Sequence, residues 1–157
     1  SYRRIVETME KQLEDYAIST DLITGFPGET ADDFNETLKA VREIRFDEAF
    51  MYAYSPRGGT PAYLLSESLT RSEKIERLNE LIALQRKISL EKLASRINRR
   101  EMVIAERVSR RSGSEVSGRT FLNHPVVFMG DAEDIGKETC VEITEVRGST
   151  LAGKKVS

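Results

Sequence analysis

The chain has 157 residues, enough for one ordinary domain or two small ones, and its 39% apolar and 32% charged residues give a globular balance and exclude a disordered one. No apolar run approaches the ~20 residues of a membrane span, and no charged stretch followed by an apolar one opens the chain, so neither a membrane partner nor a secretory signal is expected. One cysteine, Cys140, and one histidine, His124, rule out an internal disulfide framework, and no metal site is expected.

Tyr2, Ile5, Val6, Met9, Leu13 and Tyr16 recur at helical spacing. Ala17 to Thr24 is a short apolar, β-branched run and predicts a buried strand. Gly25-Phe26-Pro27-Gly28 is a turn. Thr30 then opens a helix, with Thr30 and Asp33 spaced as a near capping box and Phe34, Leu38 and Val41 on one stripe. Glu48 to Tyr54 predicts a second strand, stopped by Ser55 to Pro61, where proline and glycine forbid continued pairing. Arg71 to Leu93 predicts a long helix with Ile75, Leu78, Leu81, Ile82, Leu84 or Gln85, Ile88 and Leu93 inward. Strand–helix–strand order implies parallel strands. Both strands read as buried on two faces, so this half reads as a piece of a larger α/β sheet or barrel.

After about residue 100 the period falls to two. Met102–Val108, Val116–Leu122, Val126–Met129 and Thr139–Val146 are strand candidates separated by turn residues. Four or five short strands in so few residues predict a small closed β-barrel. OB-like barrels of that kind bind nucleic acid on one face.

The net charge of −2 hides a division: −4 over residues 1–92 and +2 over residues 93–157. Basic side chains bunch between Arg86 and Arg111, among them Arg96, Arg99, Arg100, Arg107, Arg110 and Arg111. They are either a solvated helix face running into a linker or a grip for an anionic partner. Arg119 adds to them. Phe121 and Phe128 are either rings that stack on unpaired bases or barrel interior.

The strand-end segment Gly25 to Thr30 is either a capped tight turn or a loop over which a ligand approaches the backbone. Ser55 to Pro61 lies on the same expected edge, and Arg57 there is either a surface arginine or a fork for a carboxylate or phosphate. Asp21, inside an apolar strand, reads as a buried carboxylate that needs partners. His124 reads as a solvated turn residue and Cys140 as a small core residue. No Ser/His/Asp arrangement can be assembled.

The run Ile18-Ser19-Thr20-Asp21-Leu22-Ile23-Thr24-Gly25-Phe26-Pro27-Gly28-Glu29-Thr30, followed by Tyr54-Ser55-Pro56-Arg57-Gly58-Gly59-Thr60-Pro61-Ala62, resembles the radical S-adenosylmethionine methylthiotransferases. The resemblance continues through Gly118-Arg119-Thr120, Asn123, Val126 to Phe128, Gly136-Lys137 and Leu151-Ala152-Gly153, which look like a TRAM domain. It implies that residues 1–97 are the C-terminal portion of a partial (β/α) barrel and residues 98–157 an OB-like antiparallel β-barrel that grips RNA. It also implies that Asp21, Gly25, Gly28, Glu29, Ser55 and Arg57 lie near S-adenosylmethionine. Asp21 stands where the general motif has its first glycine, and Gly58 or Gly59 where family members usually have proline.

The implied activity is transfer of a methylthio group to C2 of N6-isopentenyladenosine near the anticodon of tRNA, by a protein located in the cytoplasm. Relatives act instead on threonylcarbamoyladenosine tRNA or a ribosomal protein. The family's 4Fe-4S clusters are held by cysteine sets that one cysteine cannot supply. The chain is therefore expected to be a C-terminal fragment, to bind no cluster and to be inactive alone. A reading of another class is a stand-alone RNA-binding module.

Overall fold

The computed structural model describes residues 2–109 and 113–156. The chain divides into two units, residues 1–89 and 90–157. The first is built on β1 (Ser19–Thr24) and β2 (Glu48–Ala53), which pair in parallel from Ser19↔Glu48 to Thr24↔Ala53. Around them run α1 (Tyr2–Gln12), α2 (Ala31–Ile44) and α3 (Arg71–Ala94), the last crossing the division between the units. A short 3-10 turn, Pro61–Leu64, follows the second strand end.

Helix α2 starts where the sequence says it should. Thr30 is extended, its hydroxyl accepts the Asp33 N–H at 3.1 Å, and the Asp33 carboxylate accepts the Thr30 N–H at 2.9 Å. The helix ends in left-handed Arg45, whose N–H reaches the Val41 carbonyl. Between these caps Phe34, Leu38 and Val41 face inward and join Phe46, Leu81 and Ile88 in one core. The Thr30 hydroxyl and backbone N–H hold the Asp33 carboxyl below the usual aspartate range. Thr30→Ala is expected to raise that pKa toward its ordinary value and to destabilise the unit by about 1 kcal/mol. A depressed carboxyl contributes stability above its unfolded pKa and loses it as pH falls through the folded value. The penalty should therefore shrink in acid, which carboxyl NMR titration and denaturant midpoints at two pH values would register.

The sheet differs from expectation on one face. Leu22 and Met51 pack against the helical core, but Asp21, Ile23, Phe50 and Tyr52 are exposed. Alternation along each strand sends these four to the opposite side of a two-stranded sheet, and no described layer covers it. Asp21 is therefore a solvated carboxylate and not a buried one. The inner line of α3 also differs. Lys74, Leu81, Gln85 and Ile88 are buried, whereas Ile75 and Ile82 are exposed. Gln85 earns its place by donating to the Phe46 carbonyl at 2.8 Å and to Ser89 Oγ at 3.0 Å.

The second unit is a closed barrel of β3 (Arg100–Val108), β4 (Glu115–Thr120), β5 (Pro125–Met129), β6 (Glu138–Arg147) and β7 (Thr150–Lys155). Its strand order is β3-β4-β5-β7-β6, and β6 pairs back to β3. Four seams are antiparallel and the β5–β7 seam is parallel. The expected all-antiparallel barrel is thus corrected, for a reason of parity: directions cannot alternate around a closed ring with an odd number of strands.

Val103, Ala105, Val116, Val126, Phe128, Val141, Ile143 and Leu151 fill the barrel, joined by Leu93 from the end of α3. Inward and outward residues alternate as the period-two pattern requires. A bulge between Ala105 and Arg107 keeps Val108 in step with Val116. Gly118 and Gly153 sit where strands come closest: a Cβ would lie 2.1 Å from the Ile104 carbonyl oxygen at the first and 2.3 Å from that of Glu142 at the second. His124 is buried and not solvated, because its backbone closes the β4–β5 turn with Thr120. Cys140 is half-buried on the outer side of β6, between inward Thr139 and Val141, and so is not core.

Candidate functional site

Parallel pairing brings the two strand-end loops to one edge of the β1–β2 sheet. The Tyr54 N–H donates to the Thr24 carbonyl at 2.8 Å, so Gly25 and Ser55 leave their strands side by side. Gly25 is buried with φ +71°, and a Cβ there would stand 2.5 Å from Lys74 Cγ. Its N–H donates to Glu29 Oε2 at 2.8 Å, and Arg77 reaches the same oxygen at 2.5 Å and the Thr30 carbonyl at 3.1 Å. The Glu29 and Arg77 side chains are largely buried. Helix α3 thus pins the loop through a charge-assisted pair that is stronger than a neutral hydrogen bond.

Lys74, itself buried, pairs with Glu67 and lies 5.2 Å from the Tyr54 ring centroid. Phe26 meets the same ring edge-on at 5.1 Å, and Tyr54 Oη is buried with no hydrogen-bond partner. Lys74 and Arg77 were not legible as site residues, since nothing in the sequence ties α3 to a loop more than forty residues away. Gly25 and Glu29 are occupied within the protein. Gly28, exposed with φ +87° and open space where a Cβ would be, also donates its N–H within the protein, to Ser68 Oγ at 3.3 Å, whereas Ser55 and Arg57 are exposed. Asp21 lies on the exposed sheet face that leads to this edge.

The basic residues of the second unit do not act alike. Arg99, Arg100 and Arg107 are exposed. Arg96 is buried and pairs with Glu101 at 3.2 Å, which withdraws it from any phosphate-facing surface. Arg110 and Arg111 lie outside the described residues. Arg119 is exposed, but its guanidinium donates to the Asn123 carbonyl at 2.9 Å and to Asn123 Oδ1 at 3.1 Å. The two phenylalanines part company. Phe121 is 96% exposed at the β4–β5 turn, whereas Phe128 is 1% exposed inside the barrel. No face of the Phe128 ring is open to a base, so the expectation that it stacks on RNA is corrected.

No three His, Cys, Asp or Glu side chains among the described residues are grouped to hold a metal ion. One cysteine cannot furnish the thiolates of an iron–sulfur cluster, so the residues of this chain do not fit one. Among the described residues no helix is long and apolar enough to cross a membrane.

Residues 95–156 match the TRAM domain family. The chain is 43% identical over 155 residues to the tRNA-2-methylthio-N(6)-dimethylallyladenosine synthase of Thermoanaerobacter sp. (strain X514), covering 99% of this chain and 33% of that protein. The synthase of the same name from Treponema pallidum (strain Nichols) is 41% identical over 152 residues, covering 96% and 33%. That of Acidovorax sp. (strain JS42) is 39% identical over 155 residues, covering 99% and 35%. The chain spans about a third of the length of these curated relatives. Residues 95–156 are therefore a TRAM domain, in a chain that is similar along nearly its whole length to the tRNA-2-methylthio-N(6)-dimethylallyladenosine synthases.

Proposed function

We propose that the chain is the C-terminal part of a cytoplasmic radical S-adenosylmethionine enzyme that adds a methylthio group to C2 of N6-isopentenyladenosine near the anticodon of tRNA. The observation that carries this reading is the likeness to those synthases through both units, the strand-end edge as well as the barrel. Residues 1–97 would form part of the cofactor wall and residues 98–157 the tRNA grip.

The open side of the strand-end edge fits an approaching ligand. The exposed Gly28 turn and the Ser55 and Arg57 side chains, with Asp21 on the exposed face of the adjoining sheet, would hold S-adenosylmethionine, while Glu29, Arg77 and Lys74 keep the loop in place. Bound there, the cofactor supplies the methyl and radical chemistry. The catalytic clusters of such an enzyme would be held by cysteines beyond these residues, so the chain is not catalytic by itself.

Exposed Arg99, Arg100 and Arg107 would neutralise tRNA phosphates. The full chain should bind tRNA with an affinity that falls steeply with salt, and Arg99→Ala/Arg100→Ala should flatten the logarithmic slope by roughly one unit per lost contact. A salt titration by fluorescence anisotropy decides it. Absence of tRNA binding by the wild-type chain at low salt would remove the RNA role, and an unchanged slope in the folded variant would remove these two arginines from the grip.

A further inference from the structure

The tip of the β4–β5 hairpin is built with unusual care for a residue that contributes nothing to the core. The Asn123 N–H donates to the Thr120 carbonyl at 2.9 Å, which makes Phe121 and Leu122 the central residues of a turn. Thr120 and His124 exchange further bonds at 3.0 and 3.1 Å. Asn123 takes the left-handed conformation, φ +66°, that a three-residue hairpin loop needs before its second strand begins. Arg119 then clasps Asn123 through both its carbonyl and its side-chain oxygen. The result is a stiff tip. Central turn positions are usually filled by polar residues, proline or glycine. Here a phenylalanine stands there at 96% exposure.

The register identifies what lies beside it. Val103 faces Thr120 across the β3–β4 seam, so Phe121 leaves the strand at the Met102 end of β3. The outward residues of β3 on this side are Arg100, Met102 and Ile104, and Ile104 is the direct partner of Arg119. Met102 and Ile104 are half exposed. An apolar strip headed by an exposed aromatic ring thus has the exposed cation Arg100 at one end, while Arg119 is engaged by Asn123 and lies 3.8 Å from the Glu106 carboxylate. A ring on a protruding tip cannot reach a base within a paired stack. It can meet one that is splayed out, and a neighbouring cation such as Arg100 suits the phosphates of such a strand.

We propose that Phe121 is the stacking platform for an unpaired base of RNA, with Arg119 as the residue that positions it and Arg100 as the neighbouring phosphate contact. This rests on the tRNA-binding reading above and narrows it to single-stranded nucleotides, such as those of a stem-loop. Arg119, which the sequence groups with the phosphate-gripping arginines, is assigned instead to holding the turn.

The test uses the full chain with two labelled RNAs: a stem-loop carrying 2-aminopurine in its loop, and a blunt duplex of the stem sequence. Phe121→Ala should weaken stem-loop binding roughly 5- to 150-fold, the range for loss of one base–aromatic stack. It should leave duplex binding and the salt slope of the stem-loop unchanged, because the ring neutralises no phosphate. Phe121→Tyr should restore affinity. Quenching of 2-aminopurine should occur with wild type and Phe121→Tyr and vanish with Phe121→Ala. Wild-type chain that binds neither RNA would overturn the tRNA reading itself. Wild-type binding that Phe121→Ala leaves within twofold would overturn the stacking assignment alone. So would a lower unfolding midpoint of Phe121→Ala without RNA, which would mean that the ring packs against protein.

Discussion

Gly118→Val is expected to destabilise the barrel by about 3 kcal/mol or more. The Cβ would lie 2.1 Å from the Ile104 carbonyl oxygen, 2.8 Å from its carbon and 3.0 Å from Ala105 Cα. All three are backbone atoms, so no side-chain rotation relieves the clash. Strand β4 would have to move away from β3 beside the bulge, which opens the seam over Val103 and Val116. Gly113→Val is the matched control before the same strand, because a Cβ there meets nothing within 4 Å. Denaturant unfolding of the two variants should give well-separated midpoints. Coincident midpoints would mean that the β3–β4 approach is looser than these distances.

Arg96→Ala should cost about 3–5 kcal/mol, the usual penalty for stranding one member of a buried pair. The Arg96 and Glu101 side chains are only 8% and 14% exposed, so the carboxylate left behind would be poorly solvated. Removing both charges, as Arg96→Met with Glu101→Leu, should recover most of the loss. The distinction from Arg99 and Arg100 is qualitative. Arg96→Ala should lower the unfolding midpoint and leave the salt slope of tRNA binding in the folded protein unchanged, whereas the exposed pair should do the reverse. A salt-slope change with no stability change in Arg96→Ala would place its guanidinium in solvent.

Much of the architecture could be read from pattern. The change of period near residue 100 located the barrel, and the Thr30–Asp33 spacing marked a helix start that both capping bonds make good. Strand β7 was missed because Thr150–Lys155 carries only Leu151 and Ala152 as buried apolar residues; Gly153 and two lysines complete it. Phe121 and Phe128 have similar local sequence signals, and the difference between them is register. With Val116, Gly118 and Thr120 inward, Phe121 falls outside, while Phe128 shares the inward set with Val126. Arg96 and Arg99 are likewise neighbours in one basic run. Their fates diverge at the turn after α3, where the Arg99 N–H bonds the Arg96 carbonyl and the Arg96 side chain meets Glu101. Sequence showed the charge cluster but not which members were already spoken for. The exposure of Asp21 has a different cause: alternation correctly gave the strand two faces, but only one of them is covered by the described layers.

The parallel seam between β5 and β7 also dictates an order of assembly. Strands β3, β4 and β5 can zip up as local hairpins while the chain is still emerging from a ribosome, since each pairs with the one before it. The remaining edge of β5 must wait for residues 151–153, made some two dozen positions later. During that interval Val126 and Phe128 have an open flank, and β5 offers bare amides and carbonyls to any other extended strand nearby. The six residues of β7 seal two seams at once. Nascent barrels are therefore most vulnerable to mispairing just before this least conspicuous strand arrives, and a chaperone that shields the β5 edge would act in that window.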